Sequence, residues 1–242
     1  MKKPTLSTII IIIVIAIIGL YALGEVDYYS MKITKEVDNP NFPVLNIPKI
    51  GSSEKVNNES LSQGVYIQPN TFIPKQGDVV IYGHRTLQGS PFLRLNEIEK
   101  GDVLVLNWPG IGQLNYTVNN KTIVPESYQL TTNSSGNKLF LVTCDPIGST
   151  ANRLIIEGQL TSEGPIPDGV LTDNPQQYYG LIIALAFLIV GLIFSFFYSK
   201  DNRIYLIITV LVISAILFYF YLFPIPSEII YSKIGFLNGE FV

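Results

Sequence analysis

Hydrophobic positions along the chain follow two unlike patterns. Three stretches are apolar without a period: Ile9–Leu23, fifteen residues with no charge, and Tyr178–Tyr198 and Ile204–Phe223, of about twenty residues each. A helix needs roughly 20 residues to cross a ~30 Å hydrocarbon core, so each stretch predicts a membrane span. Between the first and second stretches the pattern changes to short runs rich in Val, Ile, Leu, Tyr and Thr, separated by turns carrying Gly, Pro or Asn. Val44–Ile50, Asp78–Tyr82, Asp102–Asn107, Gln113–Lys121, Glu126–Leu130, Lys138–Thr143 and Leu154–Leu160 read as strands, at intervals that suit a sandwich or a closed barrel. No part of Val44–Leu160 holds a long 3.6-residue stripe, so this unit is all-β and, at roughly 115 residues, long enough to bury its own core.

These patterns divide the chain. Residues 1–23 form an N-terminal transmembrane anchor, with a cleavable signal peptide as the alternative, because two lysines, a short apolar core and Ala22-Leu23-Gly24 suit either. Residues 24–43 are a tether ending in Asp38-Asn39-Pro40-Asn41-Phe42-Pro43, a poor helix or strand former. The β unit occupies 44–160, and 161–177, with Gly164, Pro165, Pro167, Gly169 and Pro175, reads as a linker. Transmembrane helices follow at 178–199 and 204–223, then a tail at 224–242. Lys2 and Lys3 precede the first span, and Lys200 and Arg203 lie in the link between the last two. Cations in short loops stay cytoplasmic, which places the N-terminus inside and the β unit and tail outside a multi-pass cell-membrane protein in contact with lipid.

Only 14% of residues are charged and the mean hydropathy is +0.34, against about 25% charge in a soluble domain. The spans account for that shortfall. Segment 24–177 holds eleven Lys and Arg against sixteen Asp and Glu, a net of −5 with no basic stripe, which excludes a nucleic-acid partner.

The chain has one cysteine, Cys144, and one histidine, His84. No intramolecular disulfide can form, so the thiol is either buried and inert or kept for chemistry. His84 ends the run Val79-Val80-Ile81-Tyr82-Gly83-His84-Arg85, Cys144 ends Leu139-Phe140-Leu141-Val142-Thr143-Cys144, and Arg153 opens the next strand. Strand ends are where a rigid scaffold presents groups for catalysis. An ordinary thiol, with a pKa of about 8.5, is only a few per cent thiolate at neutral pH, and a nearby imidazole can take its proton or pair with it. A guanidinium that keeps its proton suits a substrate carbonyl and the oxyanion that grows from it. Taken singly, a lone histidine or cysteine is more often structural, and an arginine ahead of a strand more often lies on the surface.

Together these residues resemble the sortase family of cysteine transpeptidases. Phe140-Leu141-Val142-Thr143-Cys144 is similar to the family's Thr-Leu-x-Thr-Cys signature, with Phe140 in place of the first Thr. His84 lies in a Gly-His-Arg setting after a hydrophobic strand, and Arg153 follows the cysteine at the start of the next strand, as in the family. Ile47-Pro48-Lys49-Ile50, Pro91-Phe92-Leu93-Arg94-Leu95 and Gly101-Asp102 add agreement, so the resemblance spans about 44–160, in feel closest to class D- or E-like or archaeal members.

The resemblance implies a closed eight-stranded β-barrel, which the three apolar runs flank with one N-terminal and two C-terminal transmembrane helices. It implies a thiol-protease-type transpeptidase that takes an extended sorting signal of secreted proteins, of the Leu-Pro-x-Thr-Gly type in the best-known members. By analogy Cys144 attacks the carbonyl before the scissile bond, His84 protonates the leaving amine and Arg153 stabilises the oxyanion. An amine of the cell envelope or of a pilin-like subunit then resolves the thioacyl-enzyme. Thr143, beside the nucleophile, is a supporting candidate or strand filler, and Asp145 tunes the thiol or starts the Asp145-Pro146 turn. No cofactor is implied, although the acidic group Glu97, Glu99 and Asp102 resembles the Ca²⁺ sites of some sortases without a paired ligand set. Asn58, Asn115, Asn120 and Asn133 head Asn-x-Ser/Thr sequons. The competing class is a non-catalytic, membrane-anchored β-barrel that binds extended peptides with its cysteine in the core. A papain-type hydrolase fits poorly, because there the cysteine precedes the histidine and sits on a helix.

Overall fold

The structure, a computed structural model, describes residues 3–38, 42–68, 71–86, 88–171, 176–226, 229, 230 and 233. Asn39–Asn41 of the tether, 172–175 of the linker and most of the tail from Ser227 lie outside the described residues. In chain order the elements are α1 (Leu6–Asp38), β1 (Val44–Ile47), β2 (Ser52–Asn57), β3 (Val65–Ile67), β4 (Val79–Tyr82), β5 (Val103–Trp108), β6 (Gly112–Pro125), β7 (Lys138–Asp145), β8 (Asn152–Gly164), α2 (Tyr179–Phe197) and α3 (Arg203–Leu222). They form two compact units, one helical and one, Lys35–Pro175, built on the strands.

The strands close a barrel in the order β1-β2-β3-β4-β7-β8-β6-β5. Only β2 with β3 and β4 with β7 run parallel; the other neighbours are antiparallel. Alternation along each strand decides what lies inside. On β7, Leu139 and Leu141 point into the core with Val79 and Ile81 of β4, Leu104 and Leu106 of β5, and Leu154 and Ile156 of β8. The intervening Phe140 and Val142 point the other way, into a second apolar cluster on the outer face with Val80 and Ile155. Phe92, Leu95 and Ile98, from the segment after β4, plug the barrel and are fully buried. Pro91-Phe92-Leu93-Arg94-Leu95 is therefore a packing motif.

Several expectations are corrected. The run Val44–Ile50 is cut at Pro48, which opens a 3-10 turn through Ile50 because its fixed φ and missing N–H suit a helix start and not a ladder. Gly51, at φ +66°, then sends the chain back as β2. Glu126–Leu130 is not a strand: β6 runs unbroken to Pro125, and Tyr128 N donates to Pro125 O in a turn that leaves the sheet. β8 continues to Gly164, inside the stretch read as linker, because Ser162, Glu163 and Gly164 pair with Asn115, Leu114 and Gln113. The tether also differs, since α1 continues to Asp38; residues 25–38 contain no Gly or Pro, and Pro40 lies just beyond the helix end.

The connection from β6 to β7 is held at its return by one carboxylate. Asp78, 4% exposed, accepts from Asn133 N and Lys138 N, each at 2.9 Å, while its own N–H donates to Asn133 O at 3.0 Å. Asp78→Ala leaves two backbone donors unmatched and is expected to cost about 2–4 kcal/mol of stability, with Asp78→Asn costing less. Thermal unfolding of the full chain in detergent checks this; an unchanged melting temperature for Asp78→Ala contradicts it.

In the helical unit, α1, α2 and α3 are each long and apolar enough to cross a membrane. Ala22 and Val26 of α1 pack with Ala184 of α2 and Leu217 of α3. A Cβ on Gly191 would come within 2.8 Å of Val210, so glycine is what lets α2 and α3 approach there. Asp27 of α1, fully buried, accepts from Ile225 N just past α3 at 2.9 Å. At 33 residues α1 is about 50 Å long, more than a ~30 Å hydrocarbon core requires.

Candidate active site

Three neighbouring strands bring the three sequence candidates to one end of the barrel. β7 and β8 pair antiparallel with Cys144 opposite Arg153. β4 and β7 pair in parallel, ending with Tyr82 beside Val142. A step of two residues beyond that pair reaches His84 on one side and Cys144 on the other. By the same alternation Val80, Tyr82 and His84 share the outer face with Phe140, Val142 and Cys144. The apolar floor beside them, Val80, Phe140, Val142 and Ile155, is edged by Tyr82, Val124 and Leu130. Phe140, the departure from the signature, thus lies on the face that carries Cys144, four residues away along the strand.

Arg153 meets the thiol directly, with Nη1 3.6 Å from Cys144 Sγ. The same nitrogen donates to Thr150 O at 2.7 Å and Asn152 O at 3.2 Å, and Nη2 pairs with Glu126 Oε1 at 2.6 Å. The guanidinium is therefore oriented from two sides before any substrate arrives. Its cation is thereby held beside the sulfur.

His84 sits where the chain turns off β4. Gly83 is required there, because a Cβ would come within 2.6–2.9 Å of the Phe92 ring. Phe92 N donates to His84 O at 3.1 Å and holds the turn from the core side. Burial lowers the His84 pKa from 6.5 to about 4, so the imidazole is neutral at physiological pH. The folded chain then excludes a proton that the unfolded chain takes up near pH 6.5. The stability linked to His84 is complete above pH 6.5 and is lost as the pH falls toward 4, by up to about 3 kcal/mol. Melting curves from pH 7 to 4 check this: the wild-type chain should lose more stability over that window than His84→Gln.

Thr143, the supporting candidate, is 3% exposed and points inward, where Oγ1 donates to Gly83 O at 2.7 Å. Its hydroxyl ties β7 to the turn that carries His84. Asp145 is more than a turn residue: it is the last residue of β7, and its carboxylate forms an ion pair with Arg85. Sequence reasoning also passed over Tyr82 and Glu126. Tyr82 lies two residues before His84, so the strand period could have found it. Burial raises its pKa against the pull of the Arg153 cation. Glu126 had no signal in the sequence. In the acidic group, Glu97 binds Arg94 at 2.6 and 2.9 Å, while Asp102 accepts from Glu99 N at 2.8 Å and lies 3.8 Å from Lys49. Among the described residues no three His, Cys, Asp or Glu side chains gather as a metal site.

The strand-built unit is a closed eight-stranded barrel with a thiol, an imidazole and a guanidinium on adjoining strand ends, and the helical unit holds three helices long and apolar enough to cross a membrane. A sortase-domain family model matches residues 38–161, more than half of the chain, and the chain belongs to the sortase family, which comprises cysteine transpeptidases. Similar solved structures include a lid mutant of sortase A from Corynebacterium diphtheriae, at 20% identity over 52% of this chain and 73% of that one, with a TM-score of 0.46. Sortase C-1 from Actinomyces oris aligns at 28% identity over 52% of this chain and 75% of that one, TM-score 0.46. Sortase C1 from Streptococcus agalactiae aligns at 22% identity over 50% and 68%, TM-score 0.46. No curated protein matches the chain in sequence.

Proposed function

We propose that the chain is a membrane-anchored sortase that cleaves the sorting signal of exported proteins and transfers the acyl part to an amine of the envelope or of another protein subunit. The observation that carries this reading is the pairing of Cys144 with Arg153 across β7 and β8, with 3.6 Å between Nη1 and Sγ, one strand from His84.

In this reaction the Cys144 sulfur attacks the carbonyl of the residue before the scissile bond. The thiol proton passes to His84, whose imidazole is neutral at physiological pH and offers a free nitrogen lone pair. Arg153 faces the oxyanion of the tetrahedral intermediate. As that intermediate collapses the C–N bond breaks, His84 gives its proton to the leaving amine, and a thioester remains on Cys144. An incoming amine attacks the thioester, its proton returns through His84 to the sulfur, and a new amide bond is released. Water in place of the amine gives hydrolysis.

In this reading the extended peptide lies along the outer face of the barrel that carries Cys144, next to the β6–β7 connection that contributes Leu130. We place this unit outside the membrane, with Lys3, Lys200 and Arg203 on the cytoplasmic side. The packing of Ala22 and Val26 against α2 and α3 supports retention of the first helix as an anchor. A peptide-library cleavage assay on the full chain, read by mass spectrometry with and without added amines, tests the reading. Amine-dependent ligated products from a restricted motif support it. Absence of cleavage from every library member overturns it.

A further inference from the structure

Two charges flank the site that the reaction above leaves unused. Arg85 follows His84, Asp145 follows Cys144, and their side chains form an ion pair. Arg85 is only 6% exposed, and its Nη1 also donates to the carbonyl oxygen of Cys144 at 3.3 Å. A guanidinium withdrawn from water is costly unless its charge is matched, and here the match lies one residue from the thiol. The contact completes a series of cross-links between the end of β7 and the turn after β4. Gly83 N donates to Val142 O at 3.1 Å, Thr143 Oγ1 to Gly83 O at 2.7 Å, and Arg85 to Cys144 O.

We infer that Arg85 and Asp145 are positioning residues for acyl transfer: the pair pins the main chain of Cys144 to the main chain that carries His84. The thiol and imidazole then keep the separation that proton transfer needs, which side-chain rotation alone cannot guarantee. The inference rests on the reading of Cys144 as the nucleophile and extends it to the residues that aim it. Thr143 and Gly83 supply one layer of the clamp at the level of the buried strand ends, and Arg85 with Asp145 supplies the next layer toward the thiol.

The pair also sets the charge near the sulfur. The titratable and charged groups around Cys144 are Tyr82 on β4, His84 and Arg85 after it, Asp145 on β7, Arg153 on β8 and Glu126 bound to Arg153. Arg85→Gln strips the donor from the Cys144 carbonyl and leaves the Asp145 carboxylate unmatched. Asp145→Asn keeps an acceptor for Arg85 but leaves the guanidinium unmatched. The two changes therefore act in opposite directions on the thiol, a signature that a merely structural role does not produce.

Cys144 is the chain's single cysteine, so alkylation of the full, detergent-solubilised chain by iodoacetamide reports on that thiol alone. The midpoint of the pH–rate profile should rise in Arg85→Gln and fall in Asp145→Asn, each by on the order of half a unit or more. On a peptide cleaved by the wild-type chain, Arg85→Gln should lower kcat by about tenfold or more while KM stays within about threefold. Should Arg85→Gln not fold, the near-isosteric Asp145→Asn carries the test by itself. Folded variants with the wild-type alkylation profile and wild-type kcat overturn the clamp. Absence of acyl transfer by the wild-type chain itself strikes the nucleophile reading instead, so the two failures are told apart.

Discussion

Replacing Cys144 by alanine is expected to abolish peptide cleavage and acyl transfer, a loss of at least about 10³-fold in kcat. The size follows from the covalent step. No second thiol exists anywhere in the chain to form a thioester, and the remaining residues of the site can orient or polarise a peptide without attacking it. Cys144→Ser is a sharper comparison than alanine, because the hydroxyl keeps the shape while the far higher pKa of an alcohol removes the nucleophile at neutral pH. The alanine variant should fold normally, since Cys144 is only partly buried and faces outward beside Val142. Rates of product formation on a library-selected peptide, measured beside melting curves, separate lost chemistry from lost structure.

Arg153→Ala comes next in size, at about 10²–10³-fold in kcat. The side chain reaches the sulfur, two backbone carbonyls and Glu126 at once through two of its nitrogens. Removing it takes away the cation beside the thiol and, on the proposed mechanism, the donor for the oxyanion, and it leaves Glu126 without this ion pair. Arg153→Lys should recover only a small part of the loss, because a single ammonium cannot reproduce a planar fork held from two sides. KM should change much less than kcat if the guanidinium acts mainly on the transition state. Steady-state kinetics of the alanine and lysine variants check this, and a full rescue by lysine contradicts the two-sided geometry.

The parts of this fold that were legible in the sequence are those where burial alone dictates residue type. Leu139, Leu141, Leu154 and Ile156 announce their strands because each fills the barrel interior. β2 and β3 gave no such signal. Ser52–Asn57 is mostly polar and Val65–Ile67 is three residues long, and both are strands because closure of the barrel requires partners between β1 and β4. Glu126–Leu130 misled for the opposite reason: its composition suits a strand, but Leu130 is apolar because it packs on the outer cluster as the chain crosses it. The three long helices stood out because each is an apolar run of a length able to cross a membrane.

In the site, Cys144 and Arg153 could be brought together by hairpin pairing, since both flank the short turn between β7 and β8. His84 needed the resemblance to the sortase family, because sixty residues separate it from Cys144 and only the parallel pairing of β4 with β7 joins them. The pairing of Arg85 with Asp145 was out of reach for the same reason: each residue looks ordinary until β4 and β7 are known to be neighbours.

The most direct measurement of the central claim is the intact mass of the full chain after exposure to a library-selected peptide with no amine present. The account predicts a mass increase equal to the acyl fragment, located on the peptide that contains Cys144, lost on adding an amine and absent from Cys144→Ala. Cleavage of the peptide with no adduct on Cys144, or cleavage that persists in Cys144→Ala, contradicts it.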